Sequence, residues 1–336
     1  MTTLRVDRAA VLAHRARASH LDAKLAPDGL AAAAWGGLQD TAPRAAVVSL
    51  HARVSGVRSQ SWDDPSLVQI WGPRGADYVV PRADVDVFTI GRLPRDPEQC
   101  RRLDALADEV HRVLEGATLE VRDVSKALPE LGHRKRLTSI TGRVHIRWDA
   151  SRIWAIPVDR PTGHPEVARL ELARRFLHWF APVTLARYAW WAGIEPADAK
   201  RTWSALAEEL VDVDVGGEPR CVLARDVDAL AGAEPVAGAR LLPHGDPLLK
   251  IDGELVVTDP ALRFEIFPRQ KSQAAFWPVS GGLLVNGEIV GSWARQQRRV
   301  TVHPWRKLPL SVCEAIESEA LSFPIAGSRE PQVVWA

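Results

Sequence analysis

Gln39, Asp40 and Thr41 are three consecutive polar side chains between a glycine pair, Gly36-Gly37, and an apolar run. An amide, a carboxylate and a hydroxyl gathered at one point of the backbone can hold a water molecule. The Gln39 amide can orient that water, although an amide accepts a proton poorly. The Asp40 carboxylate can supply negative charge opposite a carbon that becomes cationic. Thr41 can hydrogen-bond the same water but is no general base. The triplet has an architectural use as well. Asp40 or Thr41 can cap a helix that begins near Pro43, and Gln39 can satisfy backbone groups in a turn. From the residues alone both uses stay open.

The elements that must position such a triplet are clearest far downstream, between Leu170 and Leu223. Leu172, Phe176, Leu177 and Phe180 recur at helical spacing, which predicts a first helix ended by Pro182. Thr184 is placed to cap a short second helix with Leu185, Tyr188 and Ala189 on its inner face. Gly193 supplies a turn, and Pro196 sits where a first helical turn accepts proline, ahead of Ala199, Trp203, Leu206 and Leu210. Val211, Val213 and Val215 then alternate with aspartates, Gly216-Gly217 turns the chain, and Cys221-Val222-Leu223 returns it as a hairpin. Helix, helix, turn, helix and hairpin is the order of a winged helix-turn-helix.

The same order is expected twice upstream. Residues 1–82 give an arginine-rich opening helix with Val11 and Leu12, a second helix capped by Asp28 and running through Ala34, and the helix from near Pro43 that carries Val48, Leu50 and Ala52. A hairpin of Leu67 to Trp71 and Tyr78 to Val80 follows. Residues 83–160 give an amphipathic helix over Asp104–Leu114, a short helix over Val121–Leu128 and a recognition helix after PELGHRK ending at Leu137 to Ile140. A hairpin of Val144–Trp148 and Ile153–Ile156 closes this unit. The third unit covers residues 161–228, after a Pro/Gly linker from Asp159 to Pro165, and a second linker near Ala229–Ala239 leads to residues 229–336. There short strands are expected at Ala239–Leu242, Leu248–Ile251, Leu255–Val257, Ala275–Val279, Gly282–Val285, Glu288–Ser292 and Val300–Val302, with Asn286-Gly287 as a tight turn. Their spacing predicts a small barrel, and a helix over Pro309–Leu321 ends it. The fold class is α+β: three tandem winged helix-turn-helix units and a C-terminal β-barrel.

The 336 residues carry a net charge of only +1, so any attraction to nucleic acid must come from local clusters. One cluster is Arg134, Lys135, Arg136, Arg143, Arg147 and Arg152, against Asp149 alone. A second includes Arg295, Arg298, Arg299 and His303, with no acid between Gly291 and Lys307. Arg74 joins them as the tip of the first wing. All are candidate DNA contacts. His51 and Arg53 are expected to pack or to support the triplet from behind, the 13 tryptophans to serve the core, and Asp246 to fix a loop. No run of about 18 apolar residues occurs, which speaks against a membrane span. Cys100, Cys221 and Cys313 are odd in number and scattered, as reduced cytoplasmic thiols are, and offer no metal cage. Abundant alanine and arginine with scarce lysine fit a GC-rich bacterial genome.

Several strings together resemble one family. GLQDTAPRAAVVSLHARV, WGPRGADYVVP, LARRFLHWFAPVTLARYAWWAGI, RLLPHGDPLL, and LLVNGEIVGSW followed by VTVHPW are similar, in order, to the AlkZ/YcaQ-like bacterial crosslink-repair DNA glycosylases. The resemblance implies the winged helices and barrel arranged as a C around duplex DNA. It implies hydrolysis of the N-glycosidic bond of bulky or N7-alkylated purines, with no metal or organic cofactor. The expected partner is double-stranded DNA, alkylated and crosslinked forms included, bound by a monomer in the cytoplasm at the nucleoid. The family's motif is a glutamine, an apolar residue, then glutamine or aspartate. Here Gln39 matches, Asp40 replaces the apolar residue and Thr41 stands third. His244-Gly245 also stands where many members carry an aromatic before the aspartate. An N7-alkylated purine already carries positive charge and leaves easily, so Gln39, Asp40 and Thr41 would need to place a water and stabilise a cationic sugar. The alternative is a DNA-binding protein without catalysis, such as a lesion sensor, a resistance protein or a regulator; a protein-interaction array is a third reading.

Overall fold

The computed structural model describes residues 4–42, 44–266, 279–326 and 330–336. The chain opens with β1 (Leu4–Val6) and α1 (Arg8–Ala18), whose first turn is capped by Asp7 accepting from the Ala10 N–H at 2.8 Å. α2 (Leu30–Ala33), β2 (Leu38–Gln39), α3 (Ala45–Arg53), β3 (Leu67–Trp71) and β4 (Asp77–Pro81) follow. Asp28 does not cap α2: Gly29 holds that position and no side chain bonds there. Pro43, expected at the start of α3, lies outside the described residues. The next stretch holds α4 (Val85–Phe88), α5 (Pro97–Leu114), β5 (Leu119–Glu120), α6 (Val121–Ala127), β6 (Val144–Trp148) and β7 (Ile153–Pro157). The recognition helix expected after PELGHRK is absent. Pro129–Thr141 runs instead as tight 3₁₀ turns broken at Gly132, which adopts a conformation (φ 48°, ψ −125°) open only to glycine.

Leu170–Leu223 folds as its pattern demands. α7 (Pro165–Phe180), α8 (Leu185–Ala192) and α9 (Pro196–Ala205) lead into the hairpin β8 (Leu210–Val215) and β9 (Glu218–Leu223). Thr184 accepts from the Arg187 N–H at 3.3 Å, and Gly193 takes the left-handed conformation (φ 66°) that ends α8. Then come α10 (Val227–Ala231), β10 (Ala239–Pro243), α11 (Pro247–Lys250), α12 (Gly253–Val256), α13 (Pro260–Ile266), β11 (Val279–Val285), β12 (Glu288–Gln296), β13 (Arg299–Pro304), α14 (Leu310–Leu321) and β14 (Gln332–Trp335).

Among the described residues the strands form three sheets. The first two hairpins merge in one, ordered β2-β4-β3-β6-β7-β5, with Gln69 opposite Ile146 at the seam. β1 joins the third hairpin, parallel to β8. The C-terminal sheet is open, β10-β11-β12-β13-β14, and no closed barrel forms among the described residues. The reason lies at Leu248–Ile251 and Leu255–Val257. The Asp246 side chain accepts from the Leu248 N–H at 3.0 Å and Pro247 occupies the first helical position, so α11 and α12 replace two expected strands. The strand expected at Ala275 falls outside the described residues up to Val279. α14 packs on this sheet through Ile316 and Ala320. One core joins Val47 and Leu50 of α3 and Val79 of β4 to Phe176 and Phe180 of α7 and Trp191 of α8, so the helix that follows the triplet rests on α7 and α8.

Candidate active site and nucleic-acid interface

β2 sets the direction of the triplet. Leu38 and Gln39 pair with Val79 and Tyr78, and the Asp40 N–H continues the ladder to the Asp77 carbonyl at 2.7 Å. Side chains on extended backbone alternate. Leu38 and Asp40 therefore point inward, both fully buried, while Gln39 is half-buried and Thr41 is exposed. The Gln39 Nε2 donates to Thr41 Oγ1 at 3.1 Å. The Gln39 Oε1 is buried and has no hydrogen-bond partner. An amide oxygen in that state is an acceptor waiting for a donor.

Asp40 does not turn outward. Its Oδ1 accepts from the Ala46 N–H at 2.9 Å, which satisfies the first turn of α3. Its Oδ2 accepts from Gln69 Nε2 at 3.4 Å and lies 3.4 Å from Arg44 Nη1. The expected contribution of Asp40 to a solvent-facing water site is thus corrected by geometry: the carboxylate is a remote helix cap. Burial pushes its pKa up to about 7, against the opposing pull of Arg44 and the Ala46 N–H. Arg44 adopts a left-handed conformation (φ 65°), costing roughly 1–2 kcal/mol. Its guanidinium is held over Trp62 at 4.1 Å and beside Trp148 at 5.3 Å, and it donates to the Trp148 carbonyl. Gln69 adds a second tie, its Oε1 accepting from the Trp148 N–H at 2.7 Å. Arg44, Trp62, Gln69 and Trp148 are supporting residues that sequence reasoning missed. The alternation Leu38, Gln39, Asp40, Thr41 was the available signal for Asp40's direction.

A pH effect follows from the raised carboxyl. A carboxyl with a folded pKa above its unfolded value stabilises the fold fully below the unfolded pKa, and that stability is lost as pH rises through the folded one. The unfolding free energy of the wild type relative to Asp40→Asn is therefore expected to fall between about pH 4 and 7, by at most about 1.4 kcal/mol per unit. Urea midpoints across that window check it. A constant difference would mean that Asp40 stays ionised throughout.

Behind α3, Arg53 and Asp246 form a buried bidentate pair, Nη1–Oδ2 2.7 Å and Nη2–Oδ1 2.9 Å, with Ser49 Oγ donating to the same carboxylate at 2.7 Å. Arg53 Nε also donates to the Ser19 carbonyl at 2.7 Å. Asp246 thus fixes the turn between β10 and α11 onto α3. In that turn a side chain on Gly245 would start 3.6 Å from Gln39 Cβ, so the turn walls one side of Gln39. His51 is buried, stacked on Phe323 and 2.9 Å from Ser322 Oγ, and burial pushes its pKa down to about 3. It packs, as expected.

The basic residues divide. Arg143 pairs with Asp108 at 2.6 Å and Arg147 with Asp63 at 2.7 Å, so acids from other elements answer the hairpin's charge. Arg74 is no free wing tip: it donates to the Trp191 carbonyl at 2.9 Å and lies over Trp190. Lys135 and Arg136 donate to the carbonyls of Gly132 and Gly75. Arg295 is partly buried and donates to the Gln297 carbonyl at 3.0 Å. Arg134, Arg152, Arg298, Arg299 and His303 are exposed, with no ion pair among the described residues. No group of three His, Cys, Asp or Glu is placed to hold a metal, and no helix is long and apolar enough to cross a membrane, among the described residues.

A half-buried amide beside an exposed hydroxyl at the end of a short strand, with a buried ion pair behind it, is what the α+β frame places at this point of the chain. The fold is similar to the Streptomyces sahachiroi DNA glycosylase AlkZ, with a TM-score of 0.77 at 20% identity over 99% of this chain and 100% of that one. The family model for AlkZ-like DNA glycosylases matches residues 32–323, and the chain belongs to that family. It is also 26% identical over 250 residues, 66% of this chain, to an "Interstrand DNA cross-link repair glycosylase" of Streptomyces sahachiroi, of whose length the match spans 65%.

Proposed function

We propose that this protein is a DNA glycosylase that binds duplex DNA and hydrolyses the N-glycosidic bond of bulky or N7-alkylated purines. The single observation that carries the reading is the unpartnered Gln39 Oε1 beside Thr41, at the family's motif position. A water donating to Oε1 keeps a lone pair free for C1′ of the sugar. The alkylated base leaves as a neutral molecule from a cationic nucleotide, so no acid need protonate it. The water passes its proton to bulk solvent after the new bond begins to form, which spares the site a strong base. Thr41 would position the water, and Asp40 would act only by holding α3 and Arg44. The relative named for crosslink repair makes crosslinked duplexes substrates to test.

In the same reading the three helix–hairpin segments, residues 1–82, 83–160 and 161–228, are winged helices. With the open C-terminal sheet of 229–336 they curve as a C around DNA, in a monomer acting at the bacterial nucleoid. The order α7, α8, α9, β8, β9 supports this for the third segment. The burial of Asp40 favours one competitor, a lesion-binding protein without catalysis. Single-turnover assays on duplexes carrying N7-methylguanine or an N7-linked crosslink are expected to release the base. Tight binding with no release from either duplex would leave the competitor standing.

Arg298 and Arg299 are the strongest candidates for phosphate contacts, being exposed and without an ion pair among the described residues. Replacing both with alanine is expected to weaken duplex binding and to flatten the slope of log affinity against log salt by about 2. Arg143→Ala should change the slope little, because that arginine is engaged with Asp108. An unchanged slope in the double variant would remove the C-terminal sheet from the DNA surface.

A further inference from the structure

A cavity of about 550 Å³ lies between α1, the turn after α2, the end of α7 and the turn before α10; Gln39 and Thr41 do not line it. That volume is within the range of small-molecule sites. Its wall includes Arg17 of α1 and Arg225 of the turn at residues 224–226, and neither has a salt bridge among the described residues. His178 Nδ1 faces Asp226 Oδ2 at 2.9 Å, so the cavity's carboxylate is already engaged. His14 is 3% exposed, and its Nε2 has no hydrogen-bond partner although the residue lines the cavity. Burial pushes the His14 pKa down to about 4, so the ring is neutral at pH 7 and can donate or accept one hydrogen bond. Trp35 supplies a flat apolar wall, edge to face with His178 at 5.5 Å.

Two unpaired guanidiniums ask for an anion, and Arg suits a phosphate's oxygens. A duplex backbone phosphate is served by exposed cations alone. The indole wall and the orphaned His14 nitrogen are surplus to that use and match a ligand with a flat heteroaromatic part. We propose that this cavity binds a nucleoside monophosphate or an anion of that class, with its phosphate on Arg17 and Arg225 and its ring against Trp35 within reach of His14.

Calorimetric titration of the full chain with deoxyguanosine monophosphate tests this, with deoxyguanosine, inorganic phosphate and an undamaged duplex as separate arms. The nucleotide is expected to bind saturably and at least about tenfold more tightly than nucleoside or phosphate alone. Arg17→Ala and Arg225→Ala should each weaken it several-fold at unchanged melting temperature, and Gln39→Ala should leave it unchanged. Equal binding of inorganic phosphate would overturn the aromatic part of the proposal. Displacement of the nucleotide by duplex DNA would assign the cavity to the backbone, and no saturable nucleotide binding would overturn the proposal whole. None of these readouts depends on base excision, so the proposed enzyme activity stands or falls separately.

Discussion

Gln39→Ala is expected to cut single-turnover excision of N7-methylguanine by roughly 10²–10³-fold while duplex affinity changes little. The amide oxygen is the one acceptor of the triplet that is buried, unpartnered and on the outward side of β2. Removing it leaves the water without a fixed orientation at the moment positive charge develops on the sugar. Thr41→Ala should act in the same direction but by about tenfold or less, because its hydroxyl already accepts from Gln39 Nε2. Asp40→Asn retains an acceptor for the Ala46 N–H and should leave the rate within a few-fold of wild type. The pattern matters more than any one value. A large rate loss in Asp40→Asn at intact stability would return the carboxylate to the chemistry. Full activity in Gln39→Ala would sink the water-holding role.

Asp246→Ala is expected to destabilise the protein by about 3–5 kcal/mol, since it strands the buried Arg53 guanidinium without its bidentate partner. The pair is fully buried on both sides, so solvent cannot replace the lost charge. The damage should reach the site as well. Asp246 caps α11 and sets the Gly245 turn against Gln39, so a variant that still folds should also lose excision rate. The paired replacement Arg53→Met with Asp246→Leu separates the two effects. Removing both charges together should restore much of the stability but not the placement of the turn. Chemical denaturation of the three proteins, with excision rates alongside, reads this out. Equal stability of wild type and Asp246→Ala would mean that the ion pair contributes nothing beyond packing.

Leu170–Leu223 was legible because each signal there is local. The 3.6-residue spacing of Leu172, Phe176 and Phe180, the Thr184 cap, Gly193 and Pro196 all act within a few residues of themselves. The hairpins were legible for the same reason, from alternation and from turns such as Asn286-Gly287. The misreadings arose where distance in sequence hid a partner or a local cap outweighed apolar pattern. Leu248–Ile251 looks like a strand by composition, yet Asp246 and Pro247 start a helix there. The hairpin at residues 143–152 looks unopposed in charge, yet Asp108 and Asp63 arrive from α5 and from the turn before β3. Of the triplet, the residue types were plain, while the direction of each side chain rested on a single faint signal, the alternation over Leu38–Thr41 along the two-residue strand β2.

The parallel pairing of Leu4–Val6 with Val213–Val215 joins segments about 200 residues apart. At translation rates of about 5–20 residues per second, the first strand emerges roughly 10–40 s before its neighbour exists. Leu4–Val6 is therefore made well before the strand it pairs with, and closing so long a loop adds to the folding barrier. Arg5 at the centre of that short strand keeps the waiting edge charged, a guard against pairing with another nascent chain.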